Sequence, residues 1–327
     1  MVLFVLAACT PPSTSADPAA PGNLRVAVLS DTHIIGPEYA CCSESNDLDN
    51  SSIVKTSDRL AETVRRLNEV DPPLDAVFVT GDVVHNPAVL ADLEAYDTED
   101  NAWSRARALF DELDVPYHLA WGNHDYDVDC GASGPDPRDF TDAVIARVFG
   151  QEPYQSVAMG GWRFVLMNSV RGPTWDPADP ACSTGTGSFG AEQLAWLDAE
   201  LASGDPAVVM SHHYLPVIRA DEDPDGLGDY NTVLASHDNV ALTLAGHSHR
   251  WLDFSLSYTF PHLLLGSTRY DSDDFWVIEL DADGATYTIL DFDKPEWFTT
   301  CANTWVYADG EAGPDPANPA EMGDCGS

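Results

Sequence analysis

The chain has 327 residues, a hydrophobic fraction of 44%, and 54 acidic against 15 basic residues, which give a formal net charge of −39. The hydrophobic fraction is enough for a packed core and excludes wholesale disorder. The acidic balance excludes binding to nucleic acid or to anionic membranes through a basic surface. A surface this acidic suits either a salty environment or an ordinary secreted protein.

The N-terminal residues predict a lipid-anchored protein. Residues 1–8 form an apolar run that is too short to span a bilayer, and Leu6–Cys9 resembles the bacterial lipobox, whose cysteine is lipidated. We therefore expect a signal peptide over 1–8, lipidation of Cys9, a flexible tether over 9–23, and an extracytoplasmic location, anchored at the cell envelope or secreted. No basic residue precedes the apolar run, as one does in a signal peptide, and the alternative is a plain apolar N-terminus.

Six further cysteines predict up to three disulfides, because an even number of cysteines in an exported chain favours pairing. None has the CxxC spacing of a zinc site. A direct bridge between the adjacent Cys41 and Cys42 would be strained, so different partners are expected for these two. The six are Cys41, Cys42, Cys130, Cys182, Cys301 and Cys325.

Apolar runs separated by amphipathic segments predict alternating strands and helices through the first two thirds of the chain. The predicted strands cover residues 24–30, 76–80, 116–120, 162–168, 207–210 and 240–245. The predicted helices cover residues 54–69, 88–113, 139–149 and 191–202. Continuous apolar strands that alternate with helices favour sheets whose faces are covered by helices.

Beyond residue 250 the pattern changes to short alternating runs, which predict antiparallel strands in a second sheet. These runs are 252–258, 262–266, 274–280 and 285–291, with a hairpin turn at 281–284. The fold class is therefore α/β (α+β), with one domain over residues 24–300 and an acidic, Pro- and Gly-rich tail over 301–327. The sequence shows no internal repeat and no transmembrane span.

Five polar clusters directly follow five of the predicted strands, and this position favours one site assembled from the whole chain. Because residues i and i+2 share a face of an extended chain, each DxH or HxH pair is expected to present two side chains together. Carboxylate, amide and imidazole ligands suit Mn, Fe or Zn, and there are more of them than one ion needs. The clusters are Asp31-Thr32-His33, Gly81-Asp82, Gly122-Asn123-His124-Asp125, Ser211-His212-His213 and Gly246-His247-Ser248-His249.

The ordered set DxH, GD, GNHD, a lone His after a strand and GHxH, over residues 31–249, resembles the signature of the calcineurin-like metallophosphoesterase superfamily. The resemblance implies a four-layer sandwich of two mixed β-sheets flanked by helices, and two divalent or trivalent transition-metal ions (Mn, Fe or Zn). It also implies the ligands: Asp31, His33 and His249 for the first metal, Asn123, His212 and His247 for the second, and Asp82 between them.

By the same resemblance, a metal-bridging hydroxide attacks phosphorus, His124 faces the substrate as the acid, and Asp125 orients His124. His212 is preferred over His213 as the ligand because it is the first histidine after its strand, and a slip of one residue stays open. His85 stands three residues after Asp82, where purple acid phosphatases have a metal-binding tyrosine. It is an extra ligand of the first metal, a hydrogen-bond donor behind the ligands, or an ordinary loop histidine.

The implied function is metal-dependent hydrolysis of phosphoric esters. A phosphodiesterase is favoured, because the DxH and GNHD pattern in one compact domain resembles the cyclic-nucleotide-phosphodiesterase-like branch. The alternatives are a phosphomonoesterase or nucleotidase that scavenges phosphate, and a non-catalytic, surface-anchored binding protein. The expected partners are a small phosphate ester and, through the lipid anchor alone, a membrane; no nucleic-acid-binding surface is expected.

Overall fold

The computed structural model describes residues 23–41, 43–44, 46–219, 229–281 and 287–291. Within these ranges the helices are α1 Asp47–Ile53, α2 Thr56–Asn68, α3 Ala95–Thr98, α4 Ala102–Phe110, α5 Pro137–Phe149, α6 Gly190–Leu201 and α7 Tyr230–Ala235. The strands are β1 Leu24–Leu29, β2 Ala76–Thr80, β3 Tyr117–Ala120, β4 Gln155–Met159, β5 Trp162–Leu166, β6 Ala207–Ser211, β7 Val240–Ala245, β8 Leu252–Asp253, β9 His262–Leu264, β10 Phe275–Leu280 and β11 Tyr287–Asp291. No described helix is long and apolar enough to cross a membrane.

The helices form where the sequence supplies caps and apolar stripes. In α2, Leu60, Val64 and Leu67 are buried at the spacing that predicted the helix. The side chain of Asp136 accepts a hydrogen bond at the start of α5, which then ends at Gly150 in the left-handed conformation. The short elements α1, α7 and β4 were not predicted, because seven or fewer residues show little periodicity.

The strands form two mixed sheets, as predicted. The first has the order β11-β10-β1-β2-β3, and β1, β2 and β3 are parallel. The second has the order β4-β5-β6-β7-β9-β8, with β5, β6, β7 and β9 parallel and antiparallel strands at both edges.

The predicted composition of the second sheet is wrong. The strands beyond residue 250 do not form a sheet of their own: β8 and β9 extend the second sheet, whereas β10 and β11 return to the first. The buried strand β1 needs a partner on each edge, and β10 pairs with it antiparallel while β2 pairs on the other side. The alternating pattern identified these strands but carried no information about their distant partners.

The sheets pack face to face and helices cover their outer faces. Val26 and Val28 of β1 point into the core between the sheets, whereas Ala27 and Leu29 point into the core beneath α2, α4 and α5. A third core joins the outer face of the second sheet to α6 and α7. This is the predicted four-layer sandwich.

Three of the six cysteines that were predicted to form disulfides lie in the described residues, and all three are disulfide-bonded. Cys130 is bonded to Cys182, and Cys41 is also disulfide-bonded. Cys42, Cys301 and Cys325 lie outside the described residues. So do the predicted signal peptide, Cys9, most of the tether, the tail and most of the predicted hairpin turn.

Candidate metal centre

The loops that follow β1, β2, β3, β6 and β7 meet at one edge of the sandwich. Parallel strands in each sheet end on the same side, so the polar residues after them converge. The loops after β1 and β2 are joined through their backbones: the Asp31 amide donates to the Gly81 carbonyl at 3.0 Å, and the His33 amide to the Asp82 carbonyl at 2.9 Å. All seven predicted metal ligands lie at this edge.

The predicted ligands sit on unusual backbone. Six non-glycine residues in the described part of the chain have positive φ, a conformation that costs roughly 1–3 kcal/mol each. Five of them are predicted ligands: Asp31 (55°), His33 (48°), Asp82 (49°), His247 (70°) and His249 (54°). The expectation that each DxH or HxH pair is presented by extended chain is therefore wrong. Left-handed turns beyond the strand ends aim these side chains.

Four predicted ligands form a first group. The ligand atoms of Asp31, His33, Asp82 and His249 all lie within 4.8 Å of one another. His33 Nε2 lies 3.1 Å from His249 Nε2, and His249 Nε2 lies 3.2 Å from Asp31 Oδ1. His33 Nε2 also lies 3.6 Å from Asp82 Oδ2. These are the residues predicted for the first metal together with the shared carboxylate.

The remaining predicted ligands form a second group on the other side of Asp82. His212 Nε2 lies 3.1 Å from Asp82 Oδ2 and 3.0 Å from Asn123 Oδ1. His247 Nδ1 lies 2.9 Å from the same Asn123 oxygen and 3.3 Å from His212 Nε2. The Asp82 carboxylate therefore faces both groups.

The two histidines after β6 point in different directions. His212 faces Asp82, whereas His213 Nδ1 lies 2.8 Å from Ser169 Oγ. The structure thus places His212 in the site and His213 outside it. Glycine is needed at position 122, because a Cβ there would overlap both the Asp82 carboxylate and the His212 ring.

The charges of the buried side chains indicate that the site suits metal ions. Asp31 and Asp82 are almost completely buried, and in the described part of the chain their ion-pair partners are all histidines. Burial raises the pKa of both carboxyls, but His249 outweighs it at Asp31 and His212 with His124 outweighs it at Asp82, so each pKa lies below its usual range. Two buried carboxylates with no lysine or arginine beside them fit a site that binds cations.

The histidines offer the lone pairs that metal binding requires. Burial lowers the pKa of His33, and it lowers the pKa of His247 to about 4, so both rings are neutral at neutral pH. Burial also lowers the pKa of His212, but Asp82 overcomes this and raises it to about 9. Metal binding at His212 would therefore release a proton. The mixture of imidazole nitrogens, carboxylates and an amide oxygen suits first-row transition metals.

His124 lies beside the first group and is held by a residue that was not predicted. Its Nδ1 lies 2.9 Å from Asn86 Oδ1, and its backbone amide donates to Asp82 Oδ1 at 2.8 Å. Its ring centroid lies 4.9 Å from that of His33. The sequence shows only that Asn86 directly follows His85. In the structure Asn86 has a φ of 43°, which asparagine tolerates better than most residues.

Asp125 was predicted to orient the His124 ring, but its carboxyl group contacts other groups. Its carboxylate accepts from the backbone amides of Val84 at 2.8 Å and Gly122 at 2.7 Å, and not from the His124 ring. Burial and the nearby Asp82 charge raise the pKa of Asp125, whereas the two amide donors lower it. The first two effects are the larger, and the pKa of Asp125 is about 8. Asp125 therefore joins the loops after β2 and β3, and it positions His124 only through the backbone.

His85 lies behind His33, on the side away from the carboxylates. Its Nδ1 lies 2.9 Å from His33 Nδ1, and its Nε2 lies 3.2 Å from Glu44 Oε1. Its ring stacks on that of His124 at 4.5 Å. Burial, with His124, lowers the pKa of His85 to about 4, so the ring is neutral.

A two-sheet sandwich with paired groups of histidines and carboxylates at its strand ends defines a metal-dependent hydrolase of phosphate esters. The chain belongs to the calcineurin-like phosphoesterase family, whose family model matches residues 24–251. This membership bears out the sequence-based prediction of the family and of a phosphoester hydrolase.

Known proteins similar to the chain include two curated phosphodiesterases. A probable cyclic nucleotide phosphodiesterase of Synechococcus sp. is 25% identical over 233 residues, which are 70% of this chain and 74% of the relative. A 3′,5′-cyclic-nucleotide phosphodiesterase of Nostoc sp. is 25% identical over 235 residues, which are 69% of this chain and 72% of the relative. The crystal structure of a dimetal phosphatase from Danio rerio shares the fold, with a TM-score of 0.55, 17% identity, and coverage of 83% of this chain and 99% of that one.

Proposed function

We propose that the chain is a phosphodiesterase that binds two transition-metal ions, Mn, Fe or Zn. The first is held by Asp31, His33 and His249, the second by Asn123, His212 and His247, with Asp82 shared. The observation that carries the proposal is the position of Asp82, whose Oδ2 lies 3.6 Å from His33 Nε2 and 3.1 Å from His212 Nε2. The diester preference is supported by the two similar proteins, which are named as cyclic nucleotide phosphodiesterases.

The two ions, when bound, supply positive charge for the phosphoryl oxygens and an activated water as nucleophile. The chain's own residues supply the rest. Asp31 and Asp82 carry the buried negative charge that attracts the ions, and His124 acts as the general acid for the leaving group. Because His124 Nδ1 is engaged by Asn86, its Nε2 is the nitrogen that can face a substrate. In its imidazolium form His124 carries a proton on both nitrogens, and we assign it the Nε2 proton that passes to the leaving oxygen as the phosphorus–oxygen bond breaks, leaving a neutral ring protonated at Nδ1.

A panel of substrates tests the diester preference. Purified protein is loaded with Mn²⁺, Fe or Zn²⁺ in parallel, and kcat/KM is compared for bis-nitrophenyl phosphate, nitrophenyl phosphate and cyclic nucleotides. The proposal predicts higher kcat/KM for a diester than for the monoester with every metal that supports turnover. A consistent monoester preference would replace it with a phosphomonoesterase or nucleotidase, and no turnover with any metal would favour a non-catalytic binding protein.

We also propose the domain limits and the location that the sequence predicted. The catalytic domain spans residues 24–300, a lipid on Cys9 anchors it outside the cytoplasm after removal of residues 1–8, and the tether over 9–23 leaves the site open to external phosphate esters. The support is the sequence of the N-terminal segment. Changing Cys9 to Ser is expected to release the protein from the membrane fraction, and continued membrane association would refute lipidation.

A further inference from the structure

Two segments distant in the chain form a buried polar wall behind the first group of predicted ligands. The wall consists of residues 44, 46–52 and 267–271, and Arg269 is its centre, with only 3% of its surface exposed. The Arg269 guanidinium donates to Glu44 Oε2 at 2.8 Å, to the Asp49 carbonyl at 3.0 Å and to Ser52 Oγ at 3.0 Å. Three acceptors, one just before α1 and two within it, therefore fix the position of this cation.

Arg269 in turn fixes the charge and direction of Glu44. Glu44 Oε2 accepts from Arg269, and Glu44 Oε1 accepts from the Tyr39 hydroxyl at 2.7 Å. Burial raises the pKa of Glu44, but the hydrogen bonds from Arg269 and Tyr39 outweigh it and lower the pKa to about 2. An ionised carboxylate has no proton to donate, so Glu44 can only accept from its next neighbour, His85.

This direction determines which nitrogen of each histidine carries the proton. Because Glu44 can only accept, the His85 ring places its N–H at Nε2, 3.2 Å from Glu44 Oε1. His85 Nδ1 is then an acceptor, so His33 Nδ1, at 2.9 Å, must be the donor. His33 Nε2 is consequently unprotonated and faces Asp82 and His249. The opposite arrangement would set a nitrogen lone pair against the Glu44 carboxylate at 3.2 Å, whereas the His33 Nε2 lone pair lies 3.6 Å from Asp82 Oδ2, where a cation can bind both groups.

We propose that Arg269, Glu44 and His85 are positioning residues that hold His33 as its Nδ1–H tautomer, with Nε2 presented to a metal ion. The proposal rests on the proposed role of His33 as a metal ligand. It also assigns His85 a place behind that ligand. Partners that orient the second nitrogen of a metal-bound histidine contribute strongly to metal affinity, and here the orienting group is a histidine backed by a carboxylate and a guanidinium.

The same wall contacts the second histidine of the group. His249 Nδ1 lies 3.4 Å from the Tyr270 hydroxyl, and that hydroxyl donates to Asp49 Oδ1 at 2.5 Å. His249 therefore faces the site through Nε2 and contacts the wall directly through Nδ1, whereas His33 Nδ1 reaches the wall through His85. The second group has no contact with this wall among the described hydrogen bonds, so the wall distinguishes the two proposed metals.

Nuclear magnetic resonance of metal-free protein labelled with ¹⁵N-histidine tests the tautomers without relying on activity. Two-bond ¹H–¹⁵N spectra of the wild type should show His33 protonated at Nδ1 and His85 at Nε2. In Glu44→Ala both rings should become tautomer mixtures, whereas Glu44→Gln keeps an acceptor oxygen and should largely restore the wild-type pattern. A wild-type His33 protonated at Nε2 would overturn the proposal, and this measurement needs no variant to fold.

Metal affinity provides the second readout, with Glu200→Ala as the matched control. Glu200 is also partly buried and pairs with an arginine, Arg163, at 2.6 Å, but it lies near the end of α6, and Arg163 is at the start of β5, away from the strand ends that form the site. Glu44→Ala should weaken binding of the first metal by ~10–100-fold, while Glu200→Ala leaves it unchanged. Equal affinities in the wild type and Glu44→Ala would overturn the proposal. Wild-type tautomers in a protein that binds no metal would support the hydrogen-bond chain and refute the proposed metal centre.

Discussion

The His124 ring is held by Asn86, whose side-chain oxygen lies 2.9 Å from Nδ1. Asn86 lies in the loop after β2, and its backbone amide donates back to the His124 carbonyl at 3.0 Å. The loops after β2 and β3 are thus joined by one backbone and one side-chain hydrogen bond between Asn86 and His124. The orientation of the proposed acid therefore depends on a neighbouring loop and not on the next residue in the chain.

Removing the Asn86 side chain should lower turnover and spare metal binding. Asn86→Gly is the suitable change because glycine accepts the φ of 43° without strain. With the ring free to rotate, we expect kcat to fall by roughly 10–100-fold, since small misplacements of a catalytic group are costly. Steady-state kinetics and elemental analysis measure the two effects. Asn86→Asp keeps an acceptor and should retain most of the activity; equal losses in both variants would contradict the orienting role.

Replacing His124 with Ala should abolish most turnover while metal content stays near that of the wild type. A positioned acid contributes roughly 100–10,000-fold to the rate, and most of that contribution is needed when the leaving group is a poor one. The loss should therefore be large for diesters with alkyl leaving groups and smaller for bis-nitrophenyl phosphate. A loss that is the same for both kinds of leaving group would show that His124 acts by binding the phosphoryl group and not as an acid.

The ordered motifs predicted which side chains meet, because each motif directly follows a strand and parallel strands end at one edge. They could not predict how the side chains are aimed, since the left-handed turns at Asp31 and His249 are local departures from the strand pattern. Adjacency in sequence was misleading for Asp125, which turns its carboxylate to two backbone amides.

The wall behind His33 was beyond prediction for a different reason. Glu44 and Arg269 are 225 positions apart, and each is an ordinary charged residue in a segment with no periodic pattern. Their pairing exists only because β10 returns to the edge of β1 and brings the preceding loop against the loop after β1. Such long-range pairing leaves no trace in spacing or composition.

Asp125→Asn should destabilise the loops around the site. Asp125 accepts two backbone hydrogen bonds at a buried position, and an amide of the same shape has only one acceptor oxygen. One of the two amide donors is left unsatisfied, at a cost of about 1–3 kcal/mol. Urea unfolding of metal-free protein measures this cost, with Asp139→Asn on the exposed side of α5 as the control. Wild-type stability in Asp125→Asn would contradict the bracing role.

Acid should remove the stabilising contribution of Glu44. Its pKa is about 2 in the folded protein, below the value of about 4.3 for an unperturbed glutamate, so its contribution is fully present above pH ~4.3. That contribution is lost as the pH falls through the folded-state pKa of about 2. The stability difference between the wild type and Glu44→Gln should therefore be largest near neutral pH and shrink in this acidic window. Unfolding of both proteins by urea from pH 7 to pH 2 measures it, and a constant difference would contradict the ionised pair with Arg269.

Metal stoichiometry distinguishes a shared Asp82 from two independent sites. Wild-type protein reconstituted with Mn²⁺ or Zn²⁺ should hold about two ions per chain. His249→Ala removes a ligand of the first group alone and should leave about one. Asp82→Asn removes a carboxylate that faces both His33 Nε2 and His212 Nε2, and binding of both ions should be lost or weakened together. Elemental analysis after gel filtration gives the counts. An Asp82→Asn protein that keeps one ion at full affinity would show that the two groups do not share this carboxylate.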